Sequence, residues 1–467
     1  MSVFRIYPEK ENTIASGAFY ENLNASQAIV SDIWYGGGVN NSVNSFSRHL
    51  VQFDLTELQN KIASFEINPN FVISYTLNYT NSIPTNEALE PNILLKKNIS
   101  SSFDLVFYDI NKSWDEGRGG SLDNSILITF NNQSPLLTGY SNFLSATTFS
   151  SWDAPGIYSS PSGDSLYQFY QHFPIGSENI NVDITSLVNY WLSGGSNNGL
   201  AFGYTEQFES ISSDTKYIAS FLTNKTNSAF KPYLQVNYNQ AIKDDRHWVS
   251  NNRTSRLFLY LFSGNSEANF ASAGTASIYS SSNSLIQSSI TINQHSKGVY
   301  YIDILMTGTT KNQKFKDVWN DIYFSGSTNP VSFTNTFEIK DTYYNNGAKR
   351  TNGYVVDING LANNSVLATG EKYRIYADTR ISYSTQKPSV EFGLQYKISM
   401  GINMADVVSW TDMNTAIIDD CLSSYFDLDT SWLLDSQIYH IQFQIVEFGT
   451  MRLLPDVLKF RIANPSA

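Results

Sequence analysis

The chain has 467 residues, of which 14% are aromatic and only 15% charged, and its formal net charge is -12 at pH 7. That length predicts about two to four domains rather than one core. The acidic balance, with basic residues in isolated pairs such as Lys96-Lys97 and Lys349-Arg350, excludes a phosphate-backbone binder, and no apolar run approaches the roughly 18 residues of a membrane-spanning helix.

Abundant Tyr, Phe, Ser, Thr and Asn suit pleated, half-buried surfaces, so the composition predicts an all-β protein. The single cysteine, Cys421, permits no internal disulfide and fits assembly in a reducing cytosol. The first residues carry Arg5, Glu9, Lys10 and Glu11 without an apolar core, which is not a signal-peptide pattern.

In chain order, residues 4–8 (FRIYP), 48–55 (RHLVQFDL), 71–80 (FVISYTLNYT) and 103–110 (FDLVFYDI) alternate apolar and polar side chains as strands do. In the third of these, Phe71, Ile73, Tyr75, Leu77 and Tyr79 share one face. Residues 53–62 (FDLTELQNKI) predict a helix, with Thr56 as its cap and Leu58 and Ile62 four apart. A second helix is expected within 182–204 (VDITSLVNYWLSGGSNNGLAFGY). Asp183 or Thr185 caps it, Leu187, Val188 and Trp191 form its apolar stripe, and Gly194-Gly195 stops it before a turn and a strand. The region closes at 230–238 (FKPYLQVNY), where Pro232 opens a final strand, and the polar stretch 239–254 reads as a linker.

A second strand series starts at Ser255 and a third near Asn335. Within the third, residues 404–426 (MADVVSWTDMNTAIIDDCLSSYF) are expected to be helical or irregular. Short strands at intervals of about 8–12 residues predict sandwiches or barrels, and the lack of a fixed repeat disfavours propellers and solenoids. The expected architecture is a tandem of β-sandwiches: a jelly-roll-type sandwich over 1–240 and two immunoglobulin-like sandwiches over 241–335 and 336–467.

Several spaced residues of the first half resemble the DNRLRE-type β-sandwich modules of bacterial and viral surface proteins. They are Asn12-Thr13-Ile14; Arg48, Val51, Phe53, Asp54 and Leu55; Trp114-Asp115-Glu116; Trp152, Pro155 and Gly156; the run from Asp183 to Leu200; and the closing strand at 231–238. The resemblance implies that the 182–204 helix is a lid, its Leu187, Val188 and Trp191 plugging the open end of the sandwich. Modules of this kind occur in bacteriophage particles.

Candidate chemistry is sparse. His49, His172, His247, His295 and His440 show no metal-ligand spacing, and no nucleophile-elbow, phosphate-loop or dinucleotide motif is present. Asp115, Glu116 and Asp153, beside Trp114 and Trp152, are the residues a glycosidase would use. They also form the family-like phrases, where the indoles are core and the acids hold loop amides. Asp427, Asp429 and Asp435 carry carboxylates suited to calcium but lack the glycine and terminal glutamate of an EF-hand loop, so they read as turn residues. Aromatics at 34–38, 189–193 and 341–347 read as core or interface, with a sugar-binding face as the alternative.

No catalytic, cofactor-binding or metal-binding residue is therefore assigned, and no cofactor is expected. The expected function is that of a bacteriophage structural component, in a neck, collar, tail, baseplate or head decoration, assembled in the host cytoplasm. It is expected to work through other virion proteins and copies of itself, with surface glycans as a further partner class and neither nucleic acid nor membrane. A carbohydrate-binding adhesin and a polysaccharide-degrading enzyme are the alternatives. The strands at 71–80 and 439–448 carry almost no charge to guard a free edge; interior places in a sheet would explain that, as would cover by a partner, and the expectation is that another chain buries at least one of them.

Overall fold

The structure is a computed structural model. It describes residues 2–16, 21–22, 24–37, 44–82, 102–119, 140–157, 167–209, 217–264, 266–272, 274–309, 312–324, 327–340, 354–382, 392–401, 404–418, 421–447 and 450–463. The sheets form tandem β-sandwiches, the all-β class that the alternation predicts. Contacts divide the chain into two compact units, residues 4–59 with 73–237, and residues 1–3 with 60–72 and 238–467.

The first unit is built on a four-stranded and a seven-stranded sheet. The four-stranded sheet runs in the order Ser2–Ile6, Tyr233–Tyr238, Val72–Tyr79, Ile180–Asp183. The seven-stranded sheet runs Tyr217–Leu222, Val30–Gly37, Asn44–Phe53, Leu200–Tyr204, Phe103–Asp109, Gln168–Phe173, and Pro8–Ala15 also pairs with Asn44–Phe53. Aromatic rings pack the core. Phe202 lies 5.3 Å from Tyr79, 5.2 Å from Phe107 and 6.2 Å from Phe221 between ring centres, and Phe103 stacks on Phe173 at 4.7 Å. A second apolar cluster gathers Ile14, Leu50, Val106, Tyr108 and Ala201 from the strands with Ile110, Trp114, Trp152 and Ile157 from the irregular segments that follow. The Trp-containing phrases are therefore core, as their indoles suggest.

The helix expected within 182–204 spans Thr185–Leu192 and buries Leu187, Val188 and Trp191. Ile184 stands at the N-cap and supplies no side-chain cap, while Asp183 Oδ1 accepts the Thr185 N–H at 2.9 Å and the Thr185 hydroxyl. Thr185 Oγ1 also accepts the Tyr75 N–H at 2.9 Å, which ties the helix to the sheet. Gly199 has φ +85° and an added Cβ would stand 2.1 Å from the Val51 carbonyl, so only glycine turns the chain into the buried strand Leu200–Tyr204. The first helix spans Thr56–Ala63. Asp54, rather than Thr56, satisfies its start, because Asp54 Oδ1 accepts the Thr56 N–H at 2.9 Å.

The second unit holds two sandwiches and a strap. One sandwich pairs a six-stranded sheet with a three-stranded one around a core of Leu257, Ile278, Ile302, Phe315, Trp319 and Phe337. The expected boundary at 335 falls inside strand Val331–Lys340, which pairs with Lys314–Phe324, so this sandwich extends to Lys340. The other sandwich joins a four-stranded and a five-stranded sheet over 354–463. The stretch 404–426, expected to be helical or irregular, instead forms strands Ala405–Asp412, Asn414–Ile418 and the start of Cys421–Asp429. Its Val407, Val408, Thr411, Thr415, Ile417 and Ile418 are β-branched and favour a pleated surface.

Strands Val72–Tyr79 and Ile438–Glu447 are interior members of their sheets. Neighbours within the chain therefore account for their lack of guarding charge, and the inference that another chain must cover one of them is withdrawn. A true edge, Leu285–Thr291, is also uncharged. Register shifts interrupt its pairing with Thr275–Ser280, and Ser289 sits at φ 55°. Bulges of this kind twist an edge away from further pairing.

Candidate functional site

The residues singled out in the sequence are engaged in local structure. Trp114 and Trp152 donate their indole N–H groups to the carbonyls of Asn198 at 2.9 Å and Asn142 at 2.7 Å. Glu116 pairs with Lys225 at 3.1 Å, and Asp153 with Lys112 at 3.2 Å. Asp115 works through its backbone, donating to the Ala146 carbonyl and accepting from the Ser141 N–H, each at 3.1 Å. Asp427 grips Arg374 through two bonds of 2.8 and 2.9 Å, Asp429 pairs with Lys61 at 3.1 Å, and Asp435 accepts the Thr369 hydroxyl. Those three carboxylates serve three different partners. Among the described residues no three His, Cys, Asp or Glu side chains are grouped to hold a metal ion, and no helix is long and apolar enough to cross a membrane. Of the aromatics considered for a sugar face, Trp34, Tyr35 and Trp191 are buried, and residues 341–347 lie outside the described residues.

Three arrangements were not evident in the sequence. The first is a buried polar chain in which Tyr79 donates to Glu11 Oε1 at 2.8 Å and His49 Nε2 lies 3.3 Å from the same oxygen. Thr13 Oγ1 continues it, 3.1 Å from His49 Nδ1 and 2.9 Å from Ser31 Oγ. Burial, and then the Glu11 carboxylate, push the Tyr79 phenol well above its usual range. Glu11, His49 and Tyr79 are each 1% exposed. With no access for a substrate, the chain sets the register of four strands.

The second is the strap, residues 60–72. Asn68 is buried and donates Nδ2–H to the His295 carbonyl at 2.8 Å, while its Oδ1 accepts the Asn70 N–H at 3.0 Å. Lys297 N–H reaches the Phe65 carbonyl and Asn239 N–H the Phe71 carbonyl, both at 2.9 Å. Lys61 bridges Glu66 at 3.5 Å and Asp429 at 3.1 Å, and Lys372 meets Glu66 at 2.5 Å. The strap thereby touches both sandwiches of its unit. The stretch read as a linker is likewise bound. Ile242 N–H donates to Asn414 Oδ1 at 2.9 Å, Thr415 N–H to the Ile242 carbonyl at 2.7 Å, and Asp244 N–H to Thr415 Oγ1 at 3.0 Å. Behind it, Arg246 and the fully buried Asp317 pair at 2.5 Å, with the Trp319 indole donating to Asp317 at 2.8 Å.

The third is a groove of about 420 Å³ lined by Asp104, Val106, Gln168, Tyr170, Thr205, Glu206 and Gln207. Cross-strand register sets Asp104 opposite His172, Val106 opposite Tyr170 and Tyr108 opposite Gln168, so these side chains share a face. Tyr170 is 62% exposed and donates its hydroxyl to Gln168 Oε1 at 3.0 Å. His172 Nδ1 lies 2.8 Å from Asp104 Oδ1. The far wall is the short helix Glu206–Glu209. It is held by the buried pair Arg48–Glu209 at 2.7 Å and by Phe208 stacked on Tyr204 at 4.7 Å. The alternation of "QFYQHF" at 168–173, with Gln168, Tyr170 and His172 on one face, was the available signal.

Large apolar side chains also stand in solvent, among them Phe149 at 97%, Ile175 at 70%, Met451 at 67%, Val366 at 64% and Leu453 at 62% exposure. Phe149 lies at the turn between the paired strands Ser145–Thr147 and Ser150–Ser151.

No protein-family model matches the chain, and no curated protein does. Among solved structures it is similar to the fibronectin(III)-like modules of Clostridium thermocellum CbhA, at 11% identity and TM-score 0.17, over 47% of this chain and 90% of that one. It is similar to the immunoglobulin domains of Dpr2 in complex with DIP-Theta at 8% identity and TM-score 0.16, over 46% of this chain and 94% of that one. A DUF4785 family protein from Legionella pneumophila matches at 9% identity and TM-score 0.17, over 97% of this chain and 91% of that one.

Proposed function

We propose that the chain is a structural component of a bacteriophage particle that works by docking to other virion proteins and to copies of itself. The observation that carries this reading is the strap: residues 60–72, drawn from inside the first half of the sequence, are bonded to both C-terminal sandwiches. A binding module on a flexible stalk gains nothing from such a joint, whereas a part that transmits position through an assembly needs its sandwiches fixed. The acids and indoles weighed for chemistry hold loops and strands. The exposed Phe149, Met451 and Leu453 offer apolar contact points of the kind that interfaces cover, and weak contacts gain strength when repeated by symmetry. The resemblance of the first half to DNRLRE-type modules points the same way.

The test is to band particles of the encoding phage on a density gradient and quantify the chain by mass spectrometry. Co-banding at a fixed ratio to the major capsid protein is expected. Recovery only in the soluble fraction would reject the reading.

A further inference from the structure

We infer that the groove between the 168–173 strand and the Glu206–Glu209 helix is a binding site for a neutral oligosaccharide. This inference does not depend on the virion reading. The groove volume of about 420 Å³ falls within the range of about 300–1,000 Å³ typical of small-ligand sites. Its lining mixes one exposed aromatic ring with groups that both donate and accept. Tyr170, 62% exposed, offers a flat apolar face to the C–H side of a sugar ring. Gln168 and Gln207 can each donate and accept, Thr205 can do either, and the Asp104 and Glu206 carboxylates accept from hydroxyls.

That inventory fits a ligand rich in hydroxyls. An apolar ligand would strip water from these polar groups and return no hydrogen bond, at a cost. An acidic sugar would meet Asp104 and Glu206, which face the groove with His172 as the one imidazole nearby.

The walls are built in advance of any ligand. Arg48 and Glu209 are 4% and 8% exposed, and the Arg48 Nη1–H also donates to the Gly156 carbonyl at 2.6 Å. Burying an ion pair is costly, and here its effect is to pin the four-residue helix that carries Glu206 and Gln207. Across from it, the Tyr170 hydroxyl is fixed by Gln168. A preformed wall lowers the ordering cost that weakens most sugar binding.

The experiment is affinity electrophoresis of the full chain in gels containing hydroxyethyl cellulose, galactomannan, soluble starch or dextran, with alginate and polygalacturonate as acidic counterparts. Retardation by at least one neutral polymer is expected, with at least tenfold weaker interaction for the acidic ones. Tyr170→Ala should weaken the neutral interaction at least tenfold. Tyr170→Phe, which keeps the ring, should stay within threefold. Gln207→Ala, on the opposite wall, should weaken it three- to tenfold, and it carries the test if Tyr170→Ala fails to fold. No retardation by any neutral polymer, equal binding of the acidic ones, or a wild-type profile for folded Tyr170→Ala would each overturn the inference.

Discussion

Replacing Asn68 with alanine should open the strap while leaving the sandwiches folded. Asn68 is 2% exposed, and its amide donates to the His295 carbonyl at 2.8 Å and the Gln294 carbonyl at 3.4 Å and accepts the Asn70 N–H at 3.0 Å. Each buried partner left unsatisfied costs about 1–3 kcal/mol, and water reaches part of the space vacated, so the loss should be about 2–4 kcal/mol. Converted at about 1.4 kcal/mol per tenfold, local opening becomes about 30- to 1,000-fold more frequent. Hydrogen exchange followed by mass spectrometry reads this at Lys297, whose N–H is bonded to the Phe65 carbonyl, and at Asn239, bonded to that of Phe71. Both amides should exchange faster by that factor, while the core strand Val299–Leu305 keeps its protection. Unchanged exchange at Lys297 and Asn239 would show that the strap is not held as described.

Three further outcomes follow from buried charge and packing. Arg246→Ala leaves Asp317, 0% exposed, without its cation and should cost about 3–5 kcal/mol in chemical denaturation, whereas Arg246→Met with Asp317→Leu should recover most of that loss; a single variant as stable as wild type would refute it. Burial pushes the Asp244 carboxyl up to about 6 despite the nearby Arg246, and burial lowers the His295 imidazole to about 4. A raised carboxyl binds protons more tightly when folded, so Asp244 favours the fold below its unfolded value and withdraws that support as pH rises through about 6. A lowered imidazole acts oppositely, contributing above its unfolded value and losing that contribution as pH falls toward about 4. Between pH about 7.5 and 5 the Asp244→Asn variant should therefore lose about 1–2 kcal/mol more stability than wild type, read by urea titration at each pH; identical pH profiles would contradict this. Trp114→Ala, which empties the second apolar cluster of the first unit, should cost about 3–5 kcal/mol and lower the melting temperature; a cost under about 1 kcal/mol would show that Trp114 is not core.

Period-two alternation made the sheets legible, and the 182–204 helix was legible from its stripe of Leu187, Val188 and Trp191. What failed did so for physical reasons. The 404–426 stretch has Asp412, Asn414, Asp419 and Asp420 at its strand ends, residues that also suit helix caps and loops, so its β-branched content had to decide between helix and strand. The 239–254 stretch looked slack because its bonds run to Asn414 and Thr415, far away in sequence. Strand Val331–Lys340 reads the same whether it closes one sandwich or opens the next, and only its pairing with Lys314–Phe324 decides. The strap is invisible for the same reason, since nothing local in residues 60–72 announces His295, Lys372 or Asp429 as partners. The groove was partly within reach, because "QFYQHF" displays its polar face, but nothing in that run names Thr205, Glu206 and Gln207 as the opposite wall.

The proposed role requires that this chain act through its outer surfaces as a part of a larger particle. Electron cryomicroscopy of that proposed phage particle measures this directly. Density for the sandwiches is expected at symmetric positions, with Phe149 or the Met451–Leu453 segment covered by a neighbour across about 1,000 Å² or more. A chain found in no ordered position, with all of those side chains facing solvent, would contradict it.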